Sequence, residues 1–191
     1  MSVNKERMDG IRIRQGNSDA CVMASYAVIS SYFLNSKDPQ DVFRDCCHRF
    51  CGQLGLQGDD PTAMCGSYLS NPIYFQNGRL PFQLILDSHR NGWFQGGKLF
   101  DGELLCLKDK SEVEKVEHRL KSESDSLLTL AYRTNGGCHA ITFVHRVGDT
   151  ELTIIDTCSD GQRATTSHIN PDGLSLSPDA DAILWLPVAL P

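Results

Sequence analysis

No stretch of this chain approaches the ~20 consecutive apolar residues that a bilayer-spanning helix requires, so no membrane span is expected. The opening residues, Met1-Ser2-Val3-Asn4-Lys5-Glu6-Arg7, are polar and lead into no apolar core of signal-peptide length. A reducing cytoplasm is therefore the expected compartment, or export without a classical signal peptide. Basic charge is scarce as well. Eighteen Lys and Arg against 24 Asp and Glu leave a net charge of -6, and no basic stripe offsets it, which argues against nucleic acid as a partner. Repeats, low-complexity runs and linkers are absent from the sequence, so residues 1–191 are expected to form a single domain. A domain of this size buries most of its apolar surface without disulfide staples.

Cysteine is what the chain has in plenty. Its eight cysteines stand at 21, 46, 47, 51, 65, 106, 138 and 158, in no regular framework. With no signal peptide to direct the chain to an oxidising compartment, most are expected to be small buried hydrophobes. One cluster, Cys46-Cys47-His48-Arg49-Phe50-Cys51, suggests metal. On a helix Cys47 and Cys51 share a face, and His48 or Cys65 could join them around zinc. Paired CxxC knuckles are missing and the ligands crowd one helix, so a cysteine-lined core face is the preferred reading, with no metal and no cofactor expected.

After the polar arm, Ile11-Arg12-Ile13 alternates like a brief strand and leads to a Gln15-Gly16-Asn17 turn. From Cys21 to about Leu34, apolar residues cover most of a helical circumference, which predicts a buried central helix. Asp38-Pro39 offers an N-cap and a first-turn proline for a helix over roughly 39–51. The segment from Gly52 to Gly102 is rich in Gly, Pro, Asn and Asp and reads as irregular, with a short helix near Phe82–His89. Ser111 and Glu114 have capping-box spacing for a helix through about Lys121. Leu127–Tyr132, His139–Val147, Glu151–Asp156 and Ala182–Val188 read as strands, the middle two joined at a tight Gly148-Asp149 turn. Helices first and antiparallel strands afterwards predict an α+β domain.

Gln15, Cys21, His139 and Asp156, in that order, carry the chemistry of a thiol nucleophile. A nucleophilic cysteine needs its thiolate stabilised, which a helix N-terminus does through its free N–H groups and dipole, and Cys21 opens the predicted helix. A histidine serves as its base, and an acid beside the imidazole fixes the tautomer and steadies the charged form. The developing oxyanion needs donors; the Gln15 amide and the Cys21 N–H could supply them, because the glycine-containing turn can fold Gln15 back toward Cys21. The hairpin sets His139 and Asp156 at nearly opposite positions. Asp160 is an alternative acid and His145 an alternative base. His145 lies six residues along the same strand, about 20 Å from His139, so the two histidines cannot share one site. Each residue alone has a bland explanation: a buried thiol, a satisfied strand histidine, a carboxylate capping the turn at Thr157 and Ser159. The ordered set does not. Trp93 and Phe94 either line a substrate cleft or cover the core.

The segment Gln15-Gly16-Asn17-Ser18-Asp19-Ala20-Cys21-Val22-Met23-Ala24-Ser25 resembles the active-site segment of papain-like cysteine peptidases, and Cys138-His139-Ala140-Ile141 resembles that family's His-Ala segment. Ile154-Ile155-Asp156 falls where the family's strand delivers the imidazole-orienting residue. The resemblance implies a papain-like fold, with a central N-terminal helix carrying the nucleophile packed on an antiparallel sheet. It also implies roles of nucleophile for Cys21, base for His139, orienter for Asp156 and oxyanion donor for Gln15. Val22 replaces the tryptophan that usually follows the papain nucleophile, Asp156 replaces asparagine, no Asn-Ser-Trp-Gly follows, and no inhibitory prosegment is expected. These features are closer to compact relatives such as YopT-type effector proteases, bacterial effector glutamine deamidases and phytochelatin synthase. The implied activity is that of a selective cysteine peptidase on a protein or peptide substrate. The same triad could instead deamidate or transamidate glutamine, and a third class is a catalytically silent binding module.

Overall fold

The computed structural model describes residues 4–35, 38–71, 81–106, 110–121, 126–134, 137–145, 152–157, 165–169 and 183–189. The chain is an α+β protein built around helix α2, Cys21–Leu34. Every residue from Cys21 to Tyr32 is buried, as expected for a helix apolar on all sides that is covered by neighbours rather than lying across a surface. Its neighbours are α3, Pro39–Gln53, and α4, Pro61–Ser70, together with strand β3, Gly137–His145. Asp38 and Asp60 cap α3 and α4, each followed by a proline at the first helical position. A carboxylate accepts orphan N–H groups there, and proline has no N–H to lose.

The remaining helices are α1, Lys5–Gly10, α5, Pro81–Arg90, and α6, Lys110–Lys121. His89 of α5 is buried between α2 and the first strand, β1, Phe100–Cys106. Its Nε2–H donates to the Phe100 carbonyl, which leaves Nδ1 to accept from the Tyr26 hydroxyl at 2.8 Å. Burial pushes the His89 pKa down, and the neutral ring satisfies both of its nitrogens.

Six strands form one sheet. The others are β2, Ser126–Thr134, β4, Leu152–Asp156, β5, Thr165–Ile169, and β6, Ile183–Ala189. Their order across the sheet is β1-β6-β2-β3-β4-β5, and each neighbouring pair is antiparallel. β3 sits inside the sheet between β2 and β4 and packs against α2, so the helix that begins at Cys21 lies against the strand that carries His139.

Several elements differ from the sequence expectation. Ile11-Arg12-Ile13 is extended but belongs to no strand, because its neighbour Arg14 is bridged by a side chain instead: Gln40 accepts from the Arg14 N–H at 2.8 Å and donates to its carbonyl at 3.0 Å. The Gly52–Gly102 region contains α4, a 3-10 turn at Gln95–Lys98 and strand β1, where little regular structure was expected. Asp60-Pro61 is the same start signal as Asp38-Pro39, and the glycines and prolines around it mask it. Helix α6 begins at Lys110, so Ser111 lies in its first turn and not at the cap. The helix Lys5–Gly10 and strand β5 are additional elements. The expected Gly148-Asp149 turn and the alternative acid Asp160 lie outside the described residues. Among the described residues no helix is long and apolar enough to cross a membrane.

Candidate active site

The turn ahead of Cys21 has a definite geometry. The Ser18 N–H and hydroxyl both donate to the Gln15 carbonyl, at 3.4 and 2.5 Å, and Gly16 takes a φ of +64°. Glycine adopts that left-handed backbone without the steric cost a Cβ brings. The turn delivers the chain to Ala20, the N-cap of α2, which offers no capping side chain to the first-turn N–H groups. Cys21 is thus the first residue of the helix, at a terminus whose N–H groups point outward along a favourable dipole for negative charge.

Gly66 on α4 holds this segment from behind. A Cβ at Gly66 would lie 2.8 Å from the Asp19 nitrogen and 2.9 Å from the Ala20 nitrogen. The helix therefore approaches the peptide preceding Cys21 as closely as backbone can, and only glycine permits it.

The sheet supplies the candidate base, His139, and its candidate orienter, Asp156. His139 Nε2 and Asp156 Oδ1 are 2.9 Å apart, with the two side chains 19% and 26% exposed. The β3–β4 register pairs Thr142 with Ile155, and one further step sets Asp156 across from Ile141, two residues from His139. The pair is thus diagonal on one face, a separation that side chains of this length span. The carboxylate at Nε2 fixes the tautomer and leaves Nδ1 for the thiol. His139 and Cys21 are hydrogen-bonded side chain to side chain. The Asp156 hydrogen bond, seconded by the Cys21 contact, raises the His139 pKa to about 10 against the opposing effect of burial.

Gln15 is held by a residue to which the sequence assigns only a place in a turn. Thr157, next to Asp156, is buried and donates its hydroxyl to Gln15 Oε1 at 2.9 Å. Gln15 Nε2 donates to the Ser18 carbonyl at 3.2 Å. With Oε1 committed as acceptor, the amide faces one way, its Nε2 turned from Thr157 toward the Ser18 carbonyl. The only sequence signal was a hydroxyl directly after the predicted orienting acid. Four predicted residues, Gln15, Cys21, His139 and Asp156, thus converge from the two ends of the chain on one locus.

Other expectations resolve differently. Phe94 is buried against Tyr26, ring centroids 4.7 Å apart, and half-buried Trp93 packs near Phe50, so both belong to the core. Cys46, Cys47, Cys51 and Cys65 are buried free thiols, whereas His48 is exposed. The Cys65 thiol lies close to those of Cys47 and Cys51, and the Cys51 thiol donates to the Pro61 carbonyl at 3.4 Å, joining α3 to α4. The Cys65 contact and burial raise the Cys51 pKa, and the Cys47 contact and burial raise that of Cys65, so these two thiols stay protonated and inert. Among the described residues no group of three His, Cys, Asp or Glu side chains could hold a metal ion. Searches of known proteins match the chain to no family model, no curated protein and no solved structure.

Proposed function

We propose that this chain is a papain-like thiol hydrolase, a selective cysteine peptidase acting on protein or peptide substrates. The observation that carries the reading is a chain of contacts: Cys21, first in a buried helix, hydrogen-bonded to His139, which Asp156 holds through Nε2.

In this reading the Cys21 sulfur attacks the carbonyl carbon of a substrate amide. The carbonyl π electrons move to oxygen, and the oxyanion accepts from the free Gln15 Nε2–H and the Cys21 N–H. His139, protonated at neutral pH with a pKa raised to about 10, gives its Nδ1 proton to the departing amine as the carbon–nitrogen bond breaks. That leaves a thioester and a neutral imidazole. Water then loses a proton to His139, attacks the thioester, and releases the acid with return of the thiolate. Asp156 keeps the ring aligned and stabilises its charge throughout.

The test combines labelling with mass. Iodoacetamide at neutral pH should alkylate Cys21 much faster than the other buried thiols, and Cys21→Ala should abolish turnover of peptide mixtures. Intact mass separates the chemistries: shortened chains mean a peptidase, a one-dalton gain means glutamine deamidation. Uniformly slow labelling at all cysteines would remove both enzymatic readings and leave a binding module.

A further inference from the structure

Asp19 is the one charged residue of the sequence between Arg14 and Lys37, and it stands two positions before Cys21. Two residues of chain span at most about 7 Å, so its carboxylate is carried close to the thiol. Its backbone is held. The Asp19 nitrogen and carbonyl carbon lie 2.8 and 2.9 Å from where a Gly66 Cβ would stand, so α4 closes one side of the residue. Asp19 is nonetheless exposed, which leaves its side chain in solvent beside the start of α2.

The usual tasks of a carboxylate at such a place go unfilled. No side chain caps α2, and Asp19 makes no hydrogen bond or ion pair among the described residues. Nor does it help the thiol, because a negative charge this near disfavours a thiolate. The surrounding charges do not cancel it. With Cys21 as a thiolate, that sulfur and the Asp156 carboxylate face the single imidazolium of His139, so the locus holds no positive excess. The basic side chains Arg12, Arg14 and Arg44 line a groove that takes in Gln15 to Ser18 but stops short of Asp19. Asp38 and Asp60 share that groove, and the Ala63 and Thr62 N–H groups hold the Asp60 carboxyl below its usual pKa, so it too stays charged. Asp19 is thus an uncompensated negative charge beside the Cys21 sulfur.

Resting on the thiol-hydrolase reading, we propose that Asp19 is a specificity-determining residue, which selects a lysine or arginine side chain on the substrate residue next to the scissile amide. An extended substrate advances about 3.3 Å per residue, so with its carbonyl at Cys21 the adjoining residue lies near a carboxylate two positions away in the chain. The long apolar stem of lysine or arginine crosses the remaining gap and leaves its cation in water, where the Asp19 carboxylate is. Arginine takes a carboxylate bidentately and lysine meets it as a point charge. The net charge of -6 draws a basic peptide toward the chain from a distance, and salt weakens both effects.

Two measurements on the full-length protein test this. In the first, Cys21 is labelled by a cationic and by an anionic methanethiosulfonate of similar size at low ionic strength. A unit charge about 8 Å from the sulfur changes the cation-to-anion rate ratio about fivefold in water, so Asp19→Asn should lower the ratio by that factor. Asp19→Glu should keep the wild-type ratio, and Asp87→Asn, which removes an exposed carboxylate on α5, should leave it within about twofold. Asp19 is exposed, so the thermal midpoint of Asp19→Asn should hold. In the second, the residues flanking each cleaved bond in a digest of a peptide mixture are read by mass spectrometry. Lysine and arginine should be enriched there about fivefold more with the wild type than with Asp19→Asn. An unchanged labelling ratio in Asp19→Asn, an equal fall in Asp87→Asn, or cleavage without a basic preference would overturn the proposal, and in the last case the hydrolase reading survives. A ratio that falls as expected in a protein that cleaves no peptide keeps Asp19 as a cation-selecting residue and removes the hydrolase.

Discussion

Gly66→Ala pits two opposite effects against each other. In a helix interior, alanine is favoured over glycine by about 1 kcal/mol, so on propensity alone the substitution stabilises. The added Cβ, however, falls 2.8 Å from the Asp19 nitrogen and 2.9 Å from both the Asp19 carbonyl carbon and the Ala20 nitrogen, where ordinary contact begins at 3.4 Å. Both sides of this contact are backbone, so no side chain can rotate away. Either α4 or the Asp19–Ala20 peptide must retreat by about 0.6 Å. Overpacking of this kind costs roughly 1–3 kcal/mol, enough to offset the propensity gain. The chemical consequence is larger, because the displaced peptide leads directly into Cys21. A 1 Å misplacement costs about 10²-fold in rate, so 0.6 Å predicts a loss of roughly tenfold. Gly52→Ala is the control: it also lies in a helix, nothing stands within 4 Å of its Cβ, and its φ is not positive. Urea unfolding and the alkylation rate of Cys21 would be measured on both variants. Gly52→Ala should be neutral or stabilised with wild-type labelling; Gly66→Ala should lose stability and label about tenfold more slowly. Stabilisation of both variants with unchanged labelling would refute the clamp.

Three further outcomes follow from the geometry. Asp156→Ala removes the largest cause of the raised His139 pKa, so the imidazole signal in a proton NMR titration should move down from about 10 toward 6.5. Because the folded-state pKa is the higher one, the stability from His139 is complete below about 6.5 and is lost as pH climbs through about 10. The wild-type advantage over Asp156→Ala should therefore narrow across that window, by no more than about 1.4 kcal/mol per pH unit. Thr157→Val keeps the shape but removes the donor to Gln15 Oε1, freeing the amide to flip; kcat should fall about tenfold with KM unchanged, and Thr157→Ser should restore it, whereas a change in KM alone would assign Thr157 to substrate binding. Thr142 has a fully buried hydroxyl without a hydrogen-bond partner among the described residues, so Thr142→Val should raise unfolding free energy by about 1 kcal/mol, and a measured loss would mean the hydroxyl is satisfied.

What the sequence made legible divides along a physical line. The helix Cys21–Leu34, the Asp38-Pro39 start and the four later strands rest on local signals: unbroken apolar periodicity, a capping side chain, alternation. So do the Gln15 turn and the order of the site residues. Contacts set by tertiary packing were not legible. The extended segment at Ile11–Ile13 alternates as a strand does, yet the Gln40 side chain occupies the Arg14 backbone groups that a ladder would use. Strand β1 lies in a glycine-rich region and is recruited by β6, more than 75 residues later, a pairing no local pattern encodes. Thr157 reads as an ordinary turn hydroxyl until the fold brings Gln15 to it. Gly66 reads as a poor helix residue until α4 meets the peptide before Cys21.

The same division describes how the site assembles. His139 and Asp156 are 17 residues apart, and their pairing needs only the β3–β4 hairpin. Cys21 and the Gln15–Ser18 turn need only the start of α2. Each half is thus complete within its own element, but neither half alone sets a thiol beside the imidazole. That combination arises when α2 docks on β3, which brings Cys21 to His139 and joins Gln15 to Thr157 across 142 residues of sequence. A single helix–sheet contact therefore brings together every residue to which the proposed chemistry assigns a role. Gly66 braces that contact on the side of α4, so the packing that makes the helix central is the packing that sets its first residue beside His139.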